Sequence, residues 1–346
     1  MYRATIIGHF AFGLQCLDGQ TIKTKTIYST LQDCIGNDSI RAIDTHGTIK
    51  FLLKLPFILF SVLRSTKNVI ILPAQRGIKI ISPLLLLLNI FFQRNIHYIV
   101  IGGWLPQMVK DCKLVKFSVL HFHHIYVETK KMQQELQSIG VENVIVMPNF
   151  KNIPLIDVQD IQKQQYCEPY PLCTFSRVSQ EKGIEVAIEA VKSANQKLGR
   201  TAFSLDIYGQ IEKEKEWFTP LISQQPKEIK YKGLVASNNS VNVLSQYFML
   251  LFPTFYSGEG LAGTLIDSMF TGLPVIATNW HNNDEVIVNN QNGFLVPIKD
   301  HESIANILYD IACHPQTILL MRRNCINTAS KYIPTEVIQI LINQLV

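Results

Sequence analysis

The chain alternates between short apolar runs and longer segments in which apolar residues recur with a helical period. Short runs of strand character occur in both halves, at residues 4–7, 68–72, 97–101, 122–128, 144–148, 172–176, 203–209, 229–235, 274–279 and 293–297. Segments with helical periodicity separate them, among them residues 20–31, 83–92, 130–139, 301–313, 316–330 and 335–345. Regular alternation of strand and helix is typical of parallel sheets covered by helices on both faces. The pattern therefore predicts an α/β fold.

One stretch, residues 253–279, combines this pattern with residues suited to a binding site. It reads P-T-F-Y-S-G-E-G-L-A-G-T-L-I-D-S-M-F-T-G-L-P-V-I-A-T-N and follows the apolar run at 247–254. A glycine loop comes first, then a helical pattern, a stop at Gly272 and a second apolar run, which together predict a βαβ unit. In such units the ligand crevice lies beyond the carboxyl end of the first strand. The glycines permit close approach to the backbone, and the start of the helix offers N–H groups to an anion.

A second loop carries two cations at a similar position. Arg177 and Lys182 lie between the strand at 172–176 and a helical pattern that starts near Gly183. An arginine supplies a fork of donors and a lysine a point charge, and both suit a diphosphate group. Solvated loop cations are the alternative interpretation, because most lysines and arginines lie at the surface.

Length and polarity indicate two domains. A chain of 346 residues is typical of two domains of ordinary size. Residues 151–171 are polar, with several glutamines and prolines, and we interpret them as a linker between a first domain at 1–150 and a second at 172–334.

The charge distribution and the spacing of cysteines and histidines limit the kinds of partner and binding site that the sequence predicts. The net charge is +5, but residues 1–150 contain 16 Lys and Arg against 8 Asp and Glu, whereas residues 151–346 contain 16 against 19. The basic first half suggests an anionic surface or substrate, such as phospholipid, although an ordinary solvated surface would look the same. The seven cysteines lack a C-x-x-C pair, and the histidines at 121, 123 and 124 lack metal-ligand spacing, so no metal site is predicted.

No stretch reaches the roughly 20 apolar residues that a membrane-spanning helix needs. Residues 51–63 and 83–92 come closest, and core-facing helices explain both. The first segment is apolar with basic flanks (Lys50, Arg64 and Lys67), so an interfacial membrane contact is an alternative interpretation. The apolar N-terminus resembles a short signal peptide, but the absence of a small-x-small cleavage site favours a strand.

The sequence S-G-E-G-L-A-G-T-L-I-D-S-M-F-T-G-L-P-V-I-A-T resembles the acidic motif of the retaining glycosyltransferases of the GT-B class, family 4. The loop at 176–183 resembles the G/S-R-x-x-x-x-K-G pattern of that family, and G-H-F…L-D-G-Q-T-I-K-T-K near the N-terminus resembles its bacterial members that build surface polysaccharides. This resemblance implies two Rossmann-like domains with parallel sheets facing across an interdomain cleft. The first would bind the acceptor and the second the nucleotide-sugar, and the C-terminal helix at about 335–346 would pack back on the first.

The resemblance also implies roles for individual residues. Glu259 would bind the donor sugar, Asp267 (where Glu is usual) the ribose, and Arg177 and Lys182 the diphosphate. The remaining donor-binding positions are glycines and small residues of the loops, namely Gly209, Gly258, Gly260, Leu261, Ala262 and Gly263. The acceptor-side candidates are His9, Gln20, Thr21 and Gly103, for which a helix cap or a solvated surface residue is the alternative.

The implied activity is transfer of a hexose-type sugar from a nucleotide-diphosphate-sugar to an acceptor hydroxyl with retention of configuration. It would need neither cofactor nor metal. The acceptor would be a glycan or lipid-linked saccharide of capsule, O-antigen or exopolysaccharide synthesis. The protein would act in the cytoplasm at the inner face of the plasma membrane, where a peripheral contact with anionic lipid is expected and nucleic acid is not a partner. A catalytically inactive sugar-nucleotide-binding relative is the alternative that Asp267 suggests, and another GT-B enzyme, such as a phosphorylase or epimerase, is a third.

Overall fold

The computed structural model describes residues 1–14, 19–46, 49–157, 159, 166–236 and 239–345. These residues form two compact units, one comprising 1–152 and 332–346 and the other 153–331. Part of the predicted linker (158 and 160–165), residues 17 and 18 of the N-terminal motif and residue 346 lie outside the described residues, as do the side chains of residues 49–52.

The first unit is built on a six-stranded parallel sheet. Its strands are β1 (Tyr2–Gly8), β2 (Ile40–Asp44), β3 (Thr66–Ile71), β4 (Asn95–Ile99), β5 (His124–Val127) and β6 (Val144–Val146). They lie in the order β2-β1-β3-β4-β5-β6. Five were predicted, although β4 begins and ends two residues early. The sequence pattern missed β2, because its sequence I-R-A-I-D includes two charged residues and buries only Ile40 fully.

Helices cover both faces of this sheet, and adjacent residues of a strand contact helices on opposite faces. The helices are α1 (Gly19–Ile35), α2 (Ile49–Ser65), α3 (Gln75–Asn89), α4 (Leu105–Asp111), α5 (Lys113–Leu120), α6 (Lys130–Ser138) and a C-terminal helix (Pro334–Ile342). Ile7 and Tyr98 pack with α2 to α6, whereas Ile6 and Ile99 pack with α1 and the C-terminal helix. Successive strand side chains point to opposite faces, so both faces of the sheet are buried.

Helix α3 corrects one prediction. The helix begins at Gln75 and not at Pro83, which lies within it. Proline removes a helix hydrogen bond and crowds the preceding turn, but Ile78, Ile81 and Leu85 are buried on one side of α3 and hold it against the core. Burial of this apolar stripe outweighs the local preference of proline for a helix start.

The second unit has a parallel six-stranded sheet of its own. Its strands are β7 (Tyr170–Phe175), β8 (Phe203–Tyr208), β9 (Ile229–Gly233), β10 (Met249–Phe252), β11 (Val275–Thr278) and β12 (Gly293–Val296). Its helices are α7 (Ile184–Leu198), α8 (Lys215–Ser223), α9 (Ser240–Leu244), α10 (Gly263–Phe270), α11 (His301–Cys313) and α12 (Thr317–Ala329). The six strands confirm the strand predictions for this half of the chain.

The strand order β12-β11-β10-β7-β8-β9 places the predicted site. The chain passes from β7 to its neighbour β8 on one side, and from β10 to its neighbour β11 on the other side. Since β7 and β10 are themselves paired, the sheet has a topological switch point between them. Ligands of open α/β sheets bind beyond the carboxyl ends of strands at such a point.

Candidate functional site

The loops that follow β7 and β10 bring Lys182 and Glu259 together. The ammonium group of Lys182 donates to Glu259 Oε2 over 2.5 Å, and the two side chains are only 9% and 11% exposed. The hydroxyl group of Thr254 donates to the same carboxylate oxygen over 3.1 Å. A nearly buried carboxylate therefore has both a charged and a neutral donor at the switch point. The sequence predicted both charged residues for one site, and the structure places them in direct contact.

Close backbone packing holds the two loops in this position. Gly183, directly after Lys182, has a φ of +72°, and a Cβ atom there would lie 2.1 Å from the carbonyl oxygen of Pro253. The backbone N–H of Phe255 donates to the carbonyl of Glu181 over 2.8 Å. Only glycine has both the conformational freedom and the small size for this contact. Gly183 therefore positions Lys182 next to the loop that carries Glu259.

An aromatic ring links the two predicted cations. The Lys182 ammonium lies 4.9 Å from the ring centroid of Tyr256, and the Arg177 guanidinium lies 5.5 Å from it. Both distances are within the range of cation–π attraction. Arg177 is about half exposed, and its guanidinium is 3.8 Å from the carboxylate of Glu212. The site therefore presents one sheltered cation and one solvent-facing cation next to the same tyrosine ring.

Sequence reasoning missed Tyr256, although it lies three positions before Glu259 in the same loop. Tyr256 and Arg177 border a cleft of about 170 Å³, together with residues of the loops after β7 and β8. The indole N–H of Trp280 donates to the carbonyl oxygen of Tyr256 over 2.9 Å and so fixes the loop from the β11 side. The cleft and its aromatic wall extend the site beyond the charged pair.

The start of α10 forms a further side of the site. Ala262 precedes the helix and supplies no side-chain cap, and Leu261 and Ala262 are buried at 4% and 8% exposure. The hydroxyl group of Thr264 donates to the carbonyl of Phe175 at the end of β7 over 2.7 Å. The first turn of α10 is thus anchored to the end of β7, and the N–H groups of a helix N-terminus can bind an anion. Gly258, Gly260 and Gly263 lie in this same loop and helix start.

The two remaining donor-side candidates have surroundings that the sequence did not predict. Asp267 is the fifth residue of α10 and is only 1% exposed. Gly209 has a φ of +149°, and a Cβ atom there would lie 1.7 Å from the carbonyl oxygen of Ser176. The close neighbour of Gly209 is therefore the backbone of the protein itself, and its donor-binding role stays a prediction.

The acceptor-side candidates all belong to the first unit. His9 Nε2 lies 3.4 Å from His46 Nδ1, and the amide of Gln20 donates to the carbonyl of Leu72 over 3.4 Å. Thr21 is fully buried on α1, and Gly103 lies between β4 and α4. His9, Leu72 and Gly103 follow β1, β3 and β4, so these residues share the carboxyl edge of the first sheet. The structure gives Thr21 a core position.

Two acidic groups that the sequence did not single out organise this edge. Asp44 accepts hydrogen bonds from the backbone N–H groups of Phe10, Phe12 and His46, over 2.8–3.0 Å. Burial alone would raise the pKa of Asp44, but these donors outweigh it and the net pKa is lowered. Lys23 on α1 forms a buried ion pair with Glu128 and also donates to the carbonyl of Val100 over 3.0 Å. Neither spacing in sequence nor periodicity indicates such long-range pairs.

The described ranges contain neither a metal-binding cluster nor a membrane-spanning helix. No group there of three or more His, Cys, Asp or Glu side chains could hold a metal ion. Within those same ranges, no helix is both long enough and apolar enough to cross a bilayer.

Residues 170–313 match a protein family described as glycosyl transferases group 1. Two curated relatives are similar over part of the chain. The GtfA subunit of a UDP-N-acetylglucosamine–peptide N-acetylglucosaminyltransferase from Streptococcus agalactiae is 31% identical over 155 residues, which cover 44% of this chain and 29% of GtfA. The amylovoran biosynthesis glycosyltransferase AmsK from Erwinia amylovora is 25% identical over 177 residues, covering 50% and 41%. The chain thus matches less than half the length of either relative.

Among solved structures, HepE from Anabaena in complex with UDP superposes with a TM-score of 0.74 at 13% identity, covering 100% of this chain and 99% of HepE. The match confirms the predicted fold class of two α/β units with parallel sheets. The chain has the GT-B fold of glycosyltransferases, and its residues 170–313 match the glycosyl transferases group 1 family.

Proposed function

We propose that the protein is a retaining glycosyltransferase that moves a hexose-type sugar from a nucleotide-diphosphate-sugar to an acceptor hydroxyl. The observation that carries the proposal is the Lys182–Glu259 pair beside Tyr256 and Arg177 at the switch point of the second sheet. Switch points bind ligands in open α/β sheets, and this one combines cations for a diphosphate with a carboxylate for sugar hydroxyls. The family match at 170–313 and the fold support the same assignment.

The chemistry follows from the charges. The leaving group is a nucleoside diphosphate, so negative charge develops on its β-phosphate as the sugar departs. Lys182, Arg177 and the N–H groups at the start of α10 would stabilise that charge without a metal ion. Such groups are effective because they are already oriented before reaction, and because Lys182 is largely screened from water.

The carboxylates would select and orient the donor. Glu259 would accept hydrogen bonds from sugar hydroxyls, and Asp267 from the ribose, since a carboxylate offers two oxygens to paired hydroxyls. For Asp267 this requires access to a side chain that is 1% exposed. In a retaining mechanism the departing phosphate itself helps to deprotonate the acceptor hydroxyl, so no separate base is required.

The names of relatives suggest the biological setting. AmsK is named for biosynthesis of amylovoran and GtfA for transfer of N-acetylglucosamine to peptide, while HepE was solved with UDP. We infer a uridine diphosphate sugar as the first donor to try. The acceptor would be a glycan or lipid-linked saccharide of bacterial surface polysaccharide synthesis, at the cytoplasmic face of the membrane.

A donor panel tests the proposal. The purified protein would be incubated with UDP-, GDP- and ADP-sugars and a lipid-linked saccharide acceptor, with and without EDTA, and release of nucleoside diphosphate would be measured. Release with one donor, undiminished by EDTA, is the expected result. Tight binding of a donor without turnover would instead support an inactive sugar-nucleotide-binding relative, as the substitution of Asp for the usual Glu at residue 267 suggests.

A further inference from the structure

Three neighbouring helices of the first unit expose an unusual number of apolar side chains. Helix α3 contacts both α2 and α5, and the inner sides of all three helices belong to one core cluster. Of the 21 exposed large apolar side chains in the described ranges, ten lie on these helices or directly after α3: Leu53, Phe57, Phe60, Ile80, Leu87, Ile90, Phe91, Leu114, Phe117 and Leu120. We call this surface, with the lysines and arginines beside it, the apolar–basic face.

The spacing shows that these residues form outward stripes. On α2, Leu53, Phe57 and Phe60 follow one another at intervals of four and three residues, while Leu55 and Leu59 face the core. A helix at a protein surface normally carries polar residues on its outer side. Helix α2 is apolar on both sides, so its outer stripe is not explained by packing within the first unit.

The charges of these helices all have one sign. Segments 49–65, 75–89 and 113–120 together contain seven Lys and Arg residues and no Asp or Glu. They are Lys50, Lys54, Arg64, Arg76, Lys79, Lys113 and Lys116. The fully buried core of a protein–protein interface is usually depleted of lysine, whereas exposed aromatic residues next to lysine and arginine are typical of surfaces that bind anionic lipid.

Two of the aromatic side chains on this face are accessible enough for an interfacial contact. Phe57 and Phe91 are 79% and 81% exposed. Lysine side chains reach past neighbouring apolar groups and keep their ammonium groups at the level of lipid phosphates. Rings and cations on one face can therefore occupy the acyl boundary and the headgroup layer at the same time.

We propose that the apolar–basic face docks on the surface of an anionic phospholipid bilayer. Phe57, Phe91 and their apolar neighbours enter the boundary between headgroups and acyl chains, while Lys54 and Lys79 contact lipid phosphates. None of the donor-site residues takes part, so this inference does not rest on the proposed function. Vesicle binding needs no donor and no acceptor, so failure of either proposal is detected separately.

Vesicle co-sedimentation tests the proposal with the full chain. Vesicles of phosphatidylcholine alone would be compared with vesicles that also contain phosphatidylglycerol. The test variants are Phe57→Ser with Phe91→Ser, and Lys54→Glu with Lys79→Glu. Matched controls in the second unit are Leu319→Ser with Leu320→Ser, which are 50% and 64% exposed, and the exposed pair Lys227→Glu with Lys331→Glu.

We expect binding only to the vesicles that contain phosphatidylglycerol. Each test variant should lower the partition coefficient about tenfold or more. Burial of a single aromatic ring, or attraction of two cations to anionic lipid, is enough to change membrane binding by about that factor. Thermal unfolding of all variants should match the wild type, and the control variants should bind like it. Absence of binding, or unchanged binding of the phenylalanine variant, would overturn the proposal. So would a dimer in solution that the phenylalanine substitutions convert to a monomer, because the face would then join two copies of the chain.

Discussion

Lys182 and Glu259 lie 77 positions apart in the chain, yet the Lys182 ammonium donates to Glu259 Oε2 over 2.5 Å in a nearly buried contact. The same two groups are the predicted ligands of the donor's diphosphate and sugar. In the structure, each charge has the other as its partner. A donor must therefore compete with this ion pair. Its phosphate groups would replace part of the contact that Glu259 makes with Lys182, and its sugar hydroxyl groups would replace part of the contact that Lys182 makes with Glu259.

The first prediction concerns the stability of this pair. Removing one partner leaves a charge with little solvent, so Lys182→Met or Glu259→Gln should lower the free energy of unfolding by up to about 3 kcal/mol. The double variant Lys182→Met/Glu259→Gln leaves no charge behind and should be more stable than the less stable single variant. Urea unfolding of the four proteins as a double-mutant cycle measures this coupling; simple additivity would show that the ion pair is not formed in solution.

The second prediction concerns turnover at the same residues. Lys182→Ala and Glu259→Ala should each reduce kcat for donor turnover by about two to three orders of magnitude, the usual effect of losing one preorganised electrostatic group. Lys192→Ala, an exposed lysine of the same unit that is paired with Glu189, is the control and should retain full activity. Nucleoside diphosphate release measures the effect. Near-normal activity of either site variant, at saturating donor, would remove that residue from the site.

A third prediction distinguishes the ring of Tyr256 from its hydroxyl group. Both cations face the ring, so Tyr256→Phe should preserve donor affinity, whereas Tyr256→Ala should weaken it by about fivefold or more, as expected for loss of about 1 kcal/mol of cation–π attraction. Isothermal titration calorimetry with the nucleoside diphosphate is the measurement. Equal weakening in both variants would point to the hydroxyl group instead.

Gly183 and Gly199 form a matched pair for a fourth prediction. Both have positive φ angles, +72° and +64°, but a Cβ atom at Gly199 meets nothing within 4 Å, whereas at Gly183 it meets Pro253. Gly199→Ala should cost about 1 kcal/mol of unfolding free energy from the backbone conformation alone. Gly183→Ala should cost clearly more and should also reduce donor affinity, because the loop that carries Glu259 must move. Similar effects on stability would contradict the packing described for these loops.

The last prediction concerns the pH dependence of the first unit. Burial, with the nearby His123 and His124, lowers the pKa of His97 to about 3. Below pH 6.5, His97 takes up a proton in the unfolded chain but not in the folded protein. As the pH falls from 6.5 to 3, this residue should therefore lower the free energy of unfolding by up to about 1.4 kcal/mol per pH unit. His97→Gln should be less stable at neutral pH, because His97 hydrogen bonds with Tyr126 and Asn68, but should show a shallower slope. Urea unfolding between pH 4 and pH 8 is the measurement, with exposed His121→Gln as the control. An unchanged slope in His97→Gln would contradict a neutral buried imidazole.

Much of the fold was predictable from the sequence, because buried parallel strands are continuous apolar runs that short-range patterns detect. Strand β2 was not, since its side chains are mostly half-buried and two are charged. At the site, the spacing of Arg177 and Lys182 alone also fitted solvated loop cations, and only the resemblance of both loops to family motifs predicted that these cations and Glu259 belong to one site. Tyr256 and the Lys23–Glu128 pair were not predictable, because their contacts depend on which strands become neighbours, and no local pattern encodes that.

The pairing of β7 with β10 has a consequence for how the protein acquires its activity. These two strands carry the two halves of the site, but β8, β9 and three helices separate them in the chain. Contacts of such long sequence separation form late, because the chain entropy of a large loop must be lost before they contribute. During synthesis, the residues up to the end of β9 could already be folded and yet have no donor site. Donor binding would then show that β7 and β10 have paired. The nucleotide-sugar itself would favour that last step by binding only the completed unit.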